Sequence, residues 1–187
     1  MPLYLTAILP PPRLAEEIDE IRKEISVKYQ VFAALKPPVH ITLYRPLDVA
    51  ASEESRLIKL LKPIGASHAP FPLQLENFDS FNNKTLFINT PKSPAIANLQ
   101  KDVSKVFYQN QVDVPEMKGN TSFHPHITIA YRDVNPGTFK TIWEEFKNRK
   151  FKRSFDVEQF SLLKHDGRRW NTFAQFPLCR PTELTLF

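Results

Sequence analysis

One four-residue pattern occurs twice in the chain, and it limits what the chain can fold into. Residues 40–46 read HITLYRP and residues 126–132 read HITIAYR. Each copy begins His-Ile-Thr-aliphatic, with a proline close upstream. The β-branched, alternating composition predicts two strands. Residues i and i+2 of a strand share a face. His40 and Thr42 therefore point one way, with Ile41 and Leu43 on the other; His126 and Thr128 repeat this with Ile127 and Ile129. The aliphatic faces can pack under helices, which leaves an imidazole and a hydroxyl bare on each opposite face.

Composition narrows the chemistry. The 187 residues suit one domain with a sizeable core. With 4 Gly there is no GxGxxG and no GxxxxGK[ST], so neither a Rossmann nor a P-loop nucleotide site is written here. Net charge of +5 is compatible with a polyanionic or phosphorylated partner. Cys179 is the one cysteine, which excludes an intrachain disulfide framework and a cysteine-based zinc site, suits a reducing cytoplasm, and reads as core in its FPLC context. No stretch is long enough to span a membrane, and the opening MPLYLTAILPPP reads as a first strand rather than a secretion signal.

Taken in order, residues 3–9 predict a buried strand closed by Pro10, Pro11 and Pro12. An amphipathic helix follows over about 12–29, with Leu14, Ile18, Ile21 and Ile25 inward and Glu16, Glu17, Glu20, Arg22 and Lys23 on the polar face. After the first motif, 52–61 predicts a helix ended by Pro63. Residues 71–81 and 85–89 predict a hairpin across Asn82, Asn83 and Lys84. Ser93-Pro94 opens a third helix, 109–122 reads as a loop, and the second motif strand spans 123–131. Asn135-Pro136-Gly137 starts a fourth helix ending near 149, and strands 151–163 and 170–178 flank an Asp166-Gly167 turn. Helix, motif strand, helix and hairpin thus recur in both halves. The expectation is a single α+β domain over 1–187. It is bilobal, with a duplicated pseudo-two-fold arrangement: two antiparallel sheets, helices outside, and the bare His/Thr faces meeting across a central cleft.

Two histidines and two threonines around one small volume suit phosphodiester chemistry. One imidazole takes a proton from the attacking oxygen and the other gives one to the leaving oxygen, both near the pKa this needs at neutral pH. The hydroxyls can donate to the non-bridging phosphate oxygens. No metal, cofactor or covalent intermediate is required.

The paired motifs, HITL and HITI, resemble those of the 2H phosphoesterase superfamily, the LigT-like 2′-5′ RNA ligase and cyclic phosphodiesterase group. LTAILP, the stretch LENFDSFNNKTLFINTPKSPAIANLQKDV and the closing FSLLKHDGRRWNTFAQFPL extend the resemblance over nearly the whole chain. It implies that His40 and His126 are the acid–base pair and that Thr42 and Thr128 bind the phosphate. It also implies substrates among RNA 2′,3′-cyclic phosphate ends, ADP-ribose cyclic phosphate, 2′-5′ linkages or cyclic nucleotides, with ATP-independent ligation as the reverse reaction. The partners expected are RNA ends or a small cyclic-phosphate nucleotide, bound by a cytoplasmic monomer with no membrane attachment.

Further candidates follow from position. Tyr44 and Arg132 share the parity of their motif histidines, so Tyr44 could stack on a base and Arg132 could meet a phosphate. Lys164 and Arg168 sit at the closing hairpin tip beside His165, Arg169 and Trp170, where a basic turn could guide RNA. His124 and His126 form an HPH pair that could hold a metal. Two other readings stand beside the enzyme: an RNA- or nucleotide-binding module using the same cleft without turnover, and a metallohydrolase built on His124 and His126.

Overall fold

The computed structural model describes residues 1–113 and 123–179. In chain order these form β1 (Leu3–Ile8), α1 (Pro12–Tyr29), a 3-10 turn (Ala33–Leu35), β2 (Ile41–Asp48), a second such turn (Ala51–Glu53) and α2 (Glu54–Ser67). Then come β3 (Phe71–Phe81), β4 (Thr85–Asn89), α3 (Pro94–Gln109), β5 (His126–Ala130), α4 (Pro136–Phe146), β6 (Lys152–Val157), β7 (Gln159–His165) and β8 (Trp170–Pro177). Most of the loop expected over 109–122 lies outside the described residues.

The elements begin and end for local reasons. Pro12 occupies the first turn of α1, where its fixed φ suits a helix and its missing N–H costs nothing. Gln30 ends the helix in the left-handed region at φ 57° and returns its N–H to the Ser26 carbonyl. At α4, the Asn135 side chain accepts from the Thr138 N–H at 2.9 Å, satisfying one orphan donor of the first turn. Asn82 and Asn83, at φ 50° and 53°, make the β3–β4 turn, a conformation asparagine tolerates better than most residues.

The eight strands form one antiparallel sheet in the order β6-β3-β4-β5-β2-β1-β7-β8, where two sheets were expected. The join between its halves is narrow. β2 and β5 share the single registered pair Ile41↔Ile127, whereas β3 and β6 pair from Phe71↔Val157 to Glu76↔Lys152. The helices reinforce this join by crossing it: α1, which leaves β1, packs on β5, and α3, which leaves β4, packs on β2. Ile41 and Ile127 are fully buried between sheet and helices.

Three further expectations change. The run over 151–163 is two strands, not one. β6 pairs with β3 at one edge of the sheet, while β7 pairs with β1 in the other half, the chain passing between them at Glu158. Pro63 does not end α2, which continues to Ser67. The last turn is held against β8 at Gly65, where a Cβ would lie 2.7 Å from the Pro177 carbonyl oxygen. Cys179 is exposed rather than core, because Leu178 takes the buried position after β8 and Cys179 turns outward. Among the described residues, no helix is long and apolar enough to cross a membrane.

Candidate active site

The β2–β5 join brings the two motifs face to face. Antiparallel pairing of Ile41 with Ile127, carried one residue each way, sets His40 opposite Thr128 and Thr42 opposite His126. All four side chains are on the face away from Ile41 and Ile127, and all are half-buried. Residues directly opposite in a sheet have Cβ atoms about 5 Å apart, so this register puts each motif's histidine position about one strand spacing from the other motif's threonine position. The threonine hydroxyls make no hydrogen bond within the described residues.

Both imidazoles are pinned the same way. Nδ1 of His40 lies 2.7 Å from the Pro38 carbonyl oxygen, and Nδ1 of His126 lies 2.7 Å from that of His124. A carbonyl only accepts, so Nδ1 carries the proton in each ring. Each neutral imidazole then presents an unprotonated Nε2, free to take or return a proton. Burial pushes both histidines below their ordinary pKa. His40 falls to about 4, with the positive charge of Arg22 and the neighbouring His126 adding to burial and the Pro38 carbonyl opposing them. His124 adds a smaller downward push on His126, against its own carbonyl bond.

Arg22 ties the motifs together from the helix side. Its side chain is 1% exposed. Nε and Nη2 donate to the Thr128 carbonyl oxygen at 3.1 and 2.9 Å, and Nη1 donates to the Pro37 carbonyl oxygen at 3.3 Å. Asp19 balances the charge at 3.3 Å. The expected polar-face position of Arg22 is thus overturned: it lies one turn from both Ile18 and Ile25, on the buried face of α1.

The sequence profile of the 2′-5′ RNA ligase superfamily matches residues 10–169. The chain belongs to that superfamily. A Shouchella clausii protein whose name assigns it to the phosphoesterases is 26% identical over 154 residues, 81% of this chain and 85% of the relative. A Bacillus licheniformis protein of similar name is 24% identical over 94% of this chain and 98% of its own length. Among solved structures, TT0787 of Thermus thermophilus superposes with a TM-score of 0.69 at 20% identity, covering 95% of this chain and 98% of its own. LigT of E. coli, solved with 3′-AMP, gives 0.64 at 21% identity over 96% and 100%. These structures share the fold.

Against that superfamily membership, the secondary candidates divide. Tyr44 does not face the cleft. The β1–β2 pairing shifts register between Thr6 and Ala7, which reverses the parity after Thr42. Tyr44 packs edge-on against Phe107 of α3 at 4.9 Å and donates to Asp113 at 2.7 Å. Lys164 is also on the helix side, bound to Glu54 of α2 at 2.5 Å. Arg132 follows the end of β5 at φ 66° and lies over the Tyr131 ring at 5.1 Å, so strand parity does not govern it. Arg168 is exposed on the β7–β8 turn, which Asp166 organises by accepting from the Arg168 and Arg169 N–H groups. His165 meets Trp170 across that hairpin. His68, just past the end of α2, bonds Asp102 of α3 at 3.0 Å.

His124 donates Nε2–H to the Asn89 side-chain oxygen at 3.1 Å. Among the described residues no group of three or more His, Cys, Asp or Glu side chains could hold a metal ion. The site does gain two residues the motifs did not announce. Phe81 and Phe87 both pack against the His124 and His126 rings. The parity of Phe87 within TLFIN was the available signal, but only pairing with β5 assigns it to this face.

Proposed function

We propose that this superfamily member is a metal-independent phosphodiesterase that opens 2′,3′-cyclic phosphate or 2′-5′ linked nucleotide and RNA ends. His40 and His126 are its acid–base pair, and Thr42 and Thr128 its phosphate-binding hydroxyls. What supports this is one observation: the Ile41↔Ile127 register, with each imidazole fixed through Nδ1 so that Nε2 is the reactive nitrogen.

A cyclic phosphate binds between the strands, its non-bridging oxygens accepting from Thr42 and Thr128. Nε2 of one histidine takes a proton from water as the water oxygen attacks phosphorus. Nε2–H of the other gives a proton to the departing ribose oxygen, and the P–O bond of the ring breaks. Both imidazoles are held neutral by burial in the empty site. The acid therefore acquires its proton when the anionic phosphate arrives, since a nearby negative charge favours the imidazolium. With a ribose hydroxyl in place of water as nucleophile, the same steps join two ends: the hydroxyl loses its proton to one histidine, the ring P–O bond breaks as before, and no ATP is consumed because the cyclic ester already carries the activated bond. On this reading residues 1–187 form one domain that acts as a cytoplasmic monomer.

The test is turnover of a 2′,3′-cyclic nucleotide in EDTA by the wild type, His40→Ala and His126→Ala. Each substitution should lower kcat by about 100-fold or more, the usual weight of a positioned acid or base. Full activity in either variant, or loss of wild-type activity to the chelator, would overturn the mechanism. A binding module would instead keep nucleotide affinity in both variants and show no turnover in the wild type.

A further inference from the structure

Phe81 closes β3, and its ring lies over Phe87 of β4 with centroids 4.1 Å apart and planes 26° apart. Phe87 stands opposite Thr128 in the β4–β5 register, so the stacked pair is on the open face of the sheet, next to the second motif. Phe87 is 1% exposed, being covered by its neighbour. Phe81 keeps part of its surface exposed.

The histidines show which part. The His126 ring centroid is 5.0 Å from both Phe81 and Phe87. His124 is 5.2 Å from one and 5.5 Å from the other. A point nearly equidistant from two stacked rings lies beside the stack, not above it. Both imidazoles therefore flank the pair, Phe87 covers the inner face of Phe81, and neither imidazole covers the outer face.

We propose that the outer face of Phe81 is a platform on which the base of a nucleotide substrate stacks while its phosphate is held at His126. This rests on the phosphodiesterase reading and adds to it a preference for nucleosides over other phosphoesters. The base of a nucleotide is tied to its phosphate through one sugar, so a ring in contact with His126 is within reach. A phenyl ring offers a π-face and no hydrogen bonds, so any base satisfies it. The platform accounts for acceptance of nucleotides, not for a choice among them.

The rival role for Phe81 is to dry and orient His126, which would act on every substrate alike. The ratio of kcat/KM for adenosine 2′,3′-cyclic phosphate to that for glycerol 1,2-cyclic phosphate separates the two. An effect transmitted through His126 cancels in this ratio; lost stacking does not. In Phe81→Leu, which still covers Phe87, the ratio should fall about tenfold, within the weight of one base–aromatic stack. In Phe81→Trp it should hold or rise. Thermal unfolding checks that both variants are folded. An unchanged ratio in Phe81→Leu overturns the platform. If the wild type turns over neither substrate, the phosphodiesterase reading falls, and calorimetry with adenosine 3′-monophosphate against inorganic phosphate decides the platform alone. A preference for the nucleotide that disappears in Phe81→Leu supports it; the same preference in both proteins overturns it.

Discussion

Arg22 donates two hydrogen bonds to the carbonyl oxygen of Thr128, 106 positions away in the chain. Its third donor reaches Pro37, next to the proline whose carbonyl fixes the His40 ring. The strands carrying the motifs share one registered pair, so the sheet alone holds their separation weakly. A buried planar fork bonded to the backbone on both sides supplies what the ladder lacks.

Arg22→Met should cost about 2–4 kcal/mol of stability, because it strands two buried acceptors. It should also move His40. Arg22 and His126 are the charged or titratable groups that press on this imidazole, and both push its pKa down. Removing the arginine raises it. The acid limb of the kcat/KM profile that depends on neutral His40 therefore moves to higher pH. Arg22→Lys keeps the charge but not the fork, and should lose stability with a smaller shift. A purely structural role would give the stability loss in both and no shift in either. Urea unfolding and pH–rate profiles of the three proteins check this.

Gly65 marks a close approach between α2 and β8. Alanine there gains about 1 kcal/mol of helix propensity. Its Cβ would lie 2.7 Å from the Pro177 carbonyl oxygen and 3.2 Å from the Phe176 Cβ, neither of them a flexible side-chain end. Overpacking of this kind costs about 1–3 kcal/mol, so the net effect should be destabilising. Gly65→Ala unfolding at lower urea than the wild type supports the close α2–β8 contact; unfolding at higher urea would show that the two separate readily.

The features legible in the sequence were local. β3 and β4 match their expected bounds because alternation and an Asn-Asn turn specify a hairpin without distant help. The motif faces came out as expected because both strands stay regular through His-Ile-Thr. What failed depended on pairing. Alternation tells which face a residue takes, not which strand lies beside it, so the single sheet and the β6/β7 split were not visible. A register shift reversed Tyr44, and no composition marks a register shift. Arg22 was legible in principle, at i+4 from Ile18 and i−3 from Ile25, but charge outweighed position in reading it.

Acid should weaken the fold through His40. Its folded pKa is about 4, against about 6.5 when unfolded. Above pH 6.5 the imidazole is neutral in both states. As pH falls from there toward 4, the unfolded chain binds a proton that the folded one resists, and stability is lost. The difference amounts to about 3 kcal/mol by pH 4, of which about 2 is gone at pH 5. His126, depressed in the same direction, adds to the loss. His40→Gln removes the larger share, so its stability should fall less between pH 7 and pH 5 than the wild type's. Parallel slopes for the two proteins would mean that His40 is not held neutral by the fold.

In the proposed mechanism the same depression sets the pH dependence, and differently for each kinetic constant. The proposed reaction needs one histidine neutral and one protonated, and kcat/KM reports the free enzyme. Both imidazoles there titrate below the ordinary 6.5, so the protonated acid is already scarce at neutral pH. The descending limb of kcat/KM should therefore lie below about pH 6.5, falling tenfold per unit beyond it. The bound phosphate raises the acid's pKa, so the descending limb of kcat should lie at higher pH than that of kcat/KM. Profiles of both constants on a 2′,3′-cyclic nucleotide check the offset. Coincident limbs would mean that the substrate's charge does not reach the acid, and would separate the phosphate from the imidazoles in the bound complex.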